Sequence, residues 1–170
     1  MRRHALALLL SAFLVSGTTA AEAPAVAESA PQVVGGCRIE PATNCSYAKL
    51  SRAALRGADL EDASLHGAVL AGADLREANL ERVDLQVSNL AEADLRGARL
   101  RGAHLFATDA RGARFQGADL RGVNLQDAKL DGANLEGADL VGAILGTVRL
   151  DGATWTDGRV CALGSSGACK

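Results

Sequence analysis

Broken into fives, residues 118–140 read ADLRG VNLQD AKLDG ANLEG ADL. Leucine stands third in every unit, and a small apolar residue, alanine or Val123, stands first. The same frame runs outward in both directions. Leucine recurs at every fifth position from Leu50 to Leu105; Ala110 and Phe115 follow, then leucine again from Leu120 to Leu150, and Trp155 closes the series. That makes 19 leucines in 22 positions. Two residues before each stands a second column, from Ala48 to Ala153, with Val83, Ser88, Thr108, Val123 and Val148 as its exceptions.

A period of five suits neither regular element. On a helix, at about 100° per residue, successive leucines would step about 140° around the axis and no apolar face would form. In a continuous strand an odd period would alternate them between the two faces. Residues two apart point the same way in extended backbone, so the Ala and Leu of one unit can face inward together, provided that the chain turns a corner before the next unit. Glycine fills the corner position at residues 57, 67, 72, 97, 102, 112, 117, 122, 132, 137, 142 and 152, which supplies the freedom of a tight turn. The expected fold is therefore an all-β stack of coils with leucine inside, successive coils pairing at about 4.8 Å. All three prolines, Pro24, Pro31 and Pro41, precede the repeats, as a chain that needs every repeat amide for pairing requires.

Composition agrees. The 170 residues are 48% apolar, yet only Phe13, Tyr47, Phe106, Phe115 and Trp155 are aromatic. A core of mixed large side chains is excluded. The formal net charge of −2 announces neither a strongly basic nucleic-acid binder nor a strongly acidic mimic.

The N-terminus has the three-part build of a secretory signal: Arg2 and Arg3, an apolar run from Ala5 to Val15, then small residues, with cleavage expected near Ala20. The apolar run is too short for a membrane span, which needs about 20 residues. Residues 21–36, rich in Ala, Pro, Glu and Val, read as a flexible linker. Four cysteines follow, with the same spacing at both ends of the repeats: Cys37 and Cys45, then Cys161 and Cys169. An even count in an exported chain reads as disulfides, of which four cysteines permit three pairings. A single zinc site built from all four is the rival reading.

The units Ala58-Asp59-Leu60, Ala73-Asp74-Leu75, Ala78-Asn79-Leu80, Ala93-Asp94-Leu95, Ala118-Asp119-Leu120, Ala133-Asn134-Leu135 and Ala138-Asp139-Leu140 resemble the pentapeptide-repeat family, whose unit is Ala-(Asp/Asn)-Leu-x-x. The resemblance covers residues 47–157. It implies a right-handed quadrilateral β-helix with four units per coil, hence about 5.5 coils and a rod of about 26 Å at the strand spacing. On such a rod the two cysteine pairs stand too far apart for a cross-link, whose Cα atoms must lie within about 7 Å. The expected pairs are Cys37 with Cys45 and Cys161 with Cys169, in disulfide caps spanning 37–46 and 158–170, and a shared zinc is disfavoured. The Cys-bearing ends also look like those of exported bacterial members.

No catalytic, cofactor or metal set emerges. His66 and His104 lie two coils apart, roughly 10 Å along the rod, on opposite sides of their leucines, and no Ser-His-Asp or Cys-His arrangement follows from the spacing. Surface columns are the better place to look. Arg56, Arg76 and Arg96 form one ladder beside Asp74 and Asp94; Glu61, Glu81, Arg101 and Arg121 form another that changes sign halfway. The fourth face is low in charge: His66, Gln86, Phe106 and Gln126 stack beside Ser64, Asp84, His104, Asn124 and Ile144. The expected function is a non-enzymatic, exported structural or protein-interaction rod of a bacterial envelope, periplasmic or extracellular, with His66, Gln86, His104, Phe106, Gln126 and Ile144 facing a protein partner. Some cytoplasmic relatives resemble DNA and bind DNA gyrase, which makes DNA mimicry the alternative. Residues 47–157 carry 13 basic and 17 acidic side chains, a net of −4 with both signs mixed, and export would separate the protein from gyrase.

Overall fold

The computed structural model describes residues 32–170. The expected signal sequence, and the expected linker as far as Pro31, lie outside the described residues. The last part of the expected linker is not a tether: β1 (Gln32–Val34) pairs antiparallel with β2 (Cys37–Ile39), Val34 opposite Cys37. Gly35 and Gly36 form the two-residue turn between them, with φ of 56° and 80°. Left-handed backbone at both central positions is the turn that matches strand twist, and Gly35 has a second reason to lack a side chain: a Cβ there would lie 2.3 Å from the Lys49 carbonyl oxygen.

Beyond the hairpin, parallel bridges join residues twenty apart without a break, from Asn44↔Ser64 to Asn134↔Thr154. One circuit therefore takes four five-residue units and brings every fourth unit into one column. The pairing begins earlier than residue 47, since Ala42 and Cys45 already donate their amides to Glu61 and Ser64.

The unit Ala73-Asp74-Leu75-Arg76-Glu77 shows why the sequence takes this form. The Ala73 amide closes the turn onto Leu70 at 2.9 Å; Asp74 donates down to Ala53 at 2.9 Å; Leu75 and Glu77 donate up to Asp94 and Arg96 at 2.8 and 3.1 Å. The Arg76 amide, which has no backbone acceptor, donates to Asp74 Oδ1 at 3.3 Å. All five amides are thus satisfied, as burial of backbone requires. The Asp or Asn at the centre of the unit is the local acceptor for the one amide that the coil leaves over, a role repeated by Asp84, Asn89, Asp119 and Asn134.

From Tyr47 to Gly142 the corner residue is left-handed with or without glycine. Gly57 has φ 66°, and Asp62, Arg82 and Val87 hold 57°, 54° and 58°. Each non-glycine corner costs on the order of 1 kcal/mol, a strain that interlocked coils can hold.

Inside, the leucines from Leu50 to Leu135 and the alanines facing them form one continuous buried cluster, with Ala110 and Phe115 among them at 0% and 1% exposure. At the far end the tail folds back antiparallel over two columns, pairing Arg149 with Ser166 and Thr154 with Val160. Cys37 is joined to Cys45 and Cys161 to Cys169, with Cα separations of 5.3 and 4.9 Å. Among the described residues no helix is long and apolar enough to cross a membrane.

Candidate interaction faces

Two kinds of surface coexist on the coil. The first is clamped by ion pairs. Where a unit reads Asp-x-Arg, the aspartate that accepts the arginine's amide also takes its guanidinium in both carboxylate oxygens. Asp74 holds Arg76 at 2.7 and 2.6 Å, Asp94 holds Arg96 at 2.8 Å twice, and Asp109 with Arg111 and Asp119 with Arg121 repeat the fork. Asp94 is the most enclosed of these; its side chain is 9% exposed, with Arg114 at 3.1 Å and Arg76 at 3.8 Å besides Arg96. Across coils, Arg82 reaches Asp62 and Glu61, and Arg56 reaches Glu77 at 2.7 Å. Arg101, Arg82, Glu81 and Gly102 line a shallow cleft of about 320 Å³.

These pairs set the acid response. The Arg76 guanidinium holds the Asp74 carboxyl down to about 2, and Arg96, Arg111 and Arg121 likewise hold Asp94, Asp109 and Asp119 below the usual carboxylate range against the opposing effect of burial. A carboxyl whose folded pKa is depressed contributes stability that is complete above its unfolded value, near 4, and fades as pH falls through the folded value. The melting temperature is thus expected to be flat from pH 7 to about 5 and to fall between about 4 and 2. Because the arginine of each pair stands in solvent, water and salt screen the attraction and each pair adds only modestly to stability. Thermal melts of Asp94→Asn should lie below wild type at pH 7 and converge with it near pH 2; parallel curves would overturn the assignment.

The second kind of surface is the column through Ser64, Asp84, His104, Asn124 and Ile144. The structure stacks these residues and sets His66, Gln86, Phe106 and Gln126 two residues further along the same units. His104, Gln126 and Ile144 are exposed, whereas His66, Gln86 and Phe106 are half-buried. The exposed apolar groups on this side include two that the sequence did not mark, the corner residues Tyr47 at 70% and Val87 at 58%, beside Ile144 at 54%. Tyr47 meets the His66 ring edge-on with centroids 5.7 Å apart, and His66 Nδ1 lies 3.9 Å from Asp84. Tyr47 also covers the empty side of Gly67, where a Cβ would meet its ring at 2.6 Å. Position 47 was legible as a corner, and an aromatic standing where glycine usually stands was the signal. Among the described residues no group of three or more His, Cys, Asp or Glu could hold a metal ion.

Against known proteins, pentapeptide repeats match in eight copies, over residues 43–86, 88–127 and 118–154. The chain belongs to the pentapeptide-repeat family. Its coil is that family's right-handed β-helix. Among solved pentapeptide-repeat structures, HetL, involved in heterocyst differentiation regulation in the cyanobacterium Nostoc sp. strain PCC 7120, is 32% identical over 69% of this chain and 76% of its own, with a TM-score of 0.33. Rfr23 of the cyanobacterium Cyanothece 51142 is 33% identical over 57% and 60%, with a TM-score of 0.40. A protein of the Arabidopsis thaliana thylakoid lumen is 32% identical over 51% and 64%, with a TM-score of 0.31. No curated protein sequence matches the chain. In this pentapeptide-repeat protein the Asp-x-Arg fork is built on the family's own central Asp, so one side chain serves both the coil and its surface.

Proposed function

We propose that this pentapeptide-repeat protein is an exported, non-enzymatic interaction rod of the bacterial envelope, without cofactor, four-sided and about 5.5 coils long, that holds a protein partner on the column carrying His66, Gln86, His104, Phe106, Gln126 and Ile144. The observation that carries this reading is contrast. Elsewhere arginines and carboxylates neutralise one another in forked pairs, whereas this column offers amides, imidazoles, a single carboxylate at Asp84 beside His66, and the exposed Tyr47, Val87 and Ile144. Apolar groups rimmed by uncharged polar ones are what partner recognition uses. The disulfide-bonded ends favour an oxidising compartment. The domain plan that accompanies this reading is a signal through Ala20, a linker to Pro31, a hairpin cap closed by Cys37 and Cys45, the coil, and a tail cap closed by Cys161 and Cys169. A DNA-like surface would need an unbroken run of acid, which the forked arginines interrupt.

The test is in-cell photocrosslinking from Gln86 and His104, with Arg56 and Arg96 as control positions on another column. One discrete envelope protein captured from the first pair and not from the second is the expected result. Equal capture from both columns would sink the face assignment, and recovery of the protein only in the cytosol would sink the export.

A further inference from the structure

Val87 stands at a corner with φ 58° and is 58% exposed. A β-branched residue in left-handed backbone is a strained choice, and here the strain secures nothing inside the coil, because the side chain lies in solvent. Tyr47, two circuits below on the same corner, and Ala107, one circuit above, hold φ 59° and 54°. From Arg52 onward, every left-handed residue on the other three corners that is not glycine is charged: Arg52, Asp62, Glu77, Arg82 and Glu92. Only on this corner do apolar side chains stand where glycine would be free of strain. Strain kept at exposed positions points to function rather than to packing. The uncharged surface also continues round the corner, from the column of Ser64 and Asp84 to the next one. There Val69 is 36% exposed, and Ala71 and Ala91 are half-buried. Charge returns above, with the forked Asp109 and Arg111 and with Asp127. At the far edge, Glu92 leans away over Gly112, where a Cβ would lie 3.6 Å from its Cγ. Below, Lys49 and Arg52 are exposed and enter no ion pair among the described residues.

We propose that the partner grips the rod by this corner: a folded protein whose apolar groove receives Tyr47, Val87 and Ala107, with carboxylates at the lip that meets Lys49 and Arg52. The inference rests on the reading that the adjoining column holds a protein partner, and it adds which edge and which half of the rod is held. With the coil four-sided, as proposed above, the corner is a convex edge. A convex edge needs a concave acceptor, since a flat surface would touch one side of it and leave Val69 or Gln86 in water. Apolar anchors within a polar rim are the build of an interface centre. The two cations without a carboxylate lie at one end of the patch only, so they fix the direction in which the partner sits and attract its acidic end. Asp84, the one carboxylate inside the patch, is occupied beside His66 at 3.9 Å. A second copy of this chain is a poor occupant, because the cleft described above is lined by Glu81, Arg82, Arg101 and Gly102 and has no apolar floor.

In-cell photocrosslinking of the full chain from Ala91, beyond the corner, should capture the same protein as Gln86 does, while Lys129, further along the side that carries Ala91, should capture none. Val87→Gly separates binding from folding. Relieved of the strained valine, this variant should melt no lower than wild type, yet lose capture from both positions by about tenfold. Lys49→Glu with Arg52→Glu should lose it comparably, and Lys49→Arg with Arg52→Lys should keep it. Capture from Gln86 without Ala91 would overturn the corner and leave the column in place; capture from neither would remove both. Capture that survives Val87→Gly or the double charge reversal, or a captured protein that proves to be a second copy of this chain, would also overturn the proposal.

Discussion

Phe115→Ala is expected to lower the unfolding free energy by about 3–5 kcal/mol, measured by denaturant titration. The ring is 1% exposed and stands in the leucine column, where it is larger than any neighbour in that column. Ala110, one unit earlier, is buried at 0% and is the smallest residue of the column. Our reading is that the ring fills the room that the alanine leaves. If so, Ala110→Leu alone overpacks the layer and costs about 1–3 kcal/mol, and Ala110→Leu with Phe115→Leu, which restores the repeat, lies close to wild type. A Phe115→Ala protein as stable as wild type, or a double variant no better than its singles, would remove the compensation.

Loss of the far-end disulfide should have the next largest effect. Cys161→Ala with Cys169→Ala is expected to cost about 2–3 kcal/mol, the entropy of a closed loop of this size, and to lower the melting temperature by roughly 5–10 °C. The loop pins the tail to the last coil, where Cys161 both donates to Ala153 and accepts from Gly152. Freed at one end, the tail would also fray from Leu150, and limited proteolysis should cut after Arg159 before it cuts any repeat. The same melt in the presence of a reductant should shift wild type further than the variant, which has only the Cys37–Cys45 bridge left to lose. A wild-type curve unmoved by reductant would show that the bridge adds nothing.

The leucine and alanine columns were legible because a coil reduces the core to two repeated positions, so spacing alone carried the fold. Residues 32–36 were misread as tether. The signal was present, since Gly35-Gly36 between Val33-Val34 and Cys37-Arg38-Ile39 is a two-residue hairpin pattern, but the Pro- and Ala-rich run before it dominated the reading. The role of the central Asp or Asn stayed hidden for a different reason. The amide that it satisfies is left over only after coils have paired, so no local rule points to it. On the candidate face, the stacking of His66, Gln86 and Phe106 follows from counting by twenty. The exposure of Tyr47 and Val87 does not, because both occupy corners that favour glycine, and their side chains project outward only because the backbone there accepts a left-handed residue.

The twenty-residue circuit also dictates how such a chain can change length. Removing one unit of five would keep every leucine inside and every turn intact, but it would rotate all that follows by a quarter turn. Ser64 would still stand beneath Asp84 if the cut fell beyond residue 84, whereas His104 would be carried round the corner and the two halves of the surface would no longer line up. Only gains or losses of whole circuits leave the sides in register. Insertions and deletions in this protein therefore act as rotations, and a relative shorter by five residues should be compared with it side by side only after that turn has been undone.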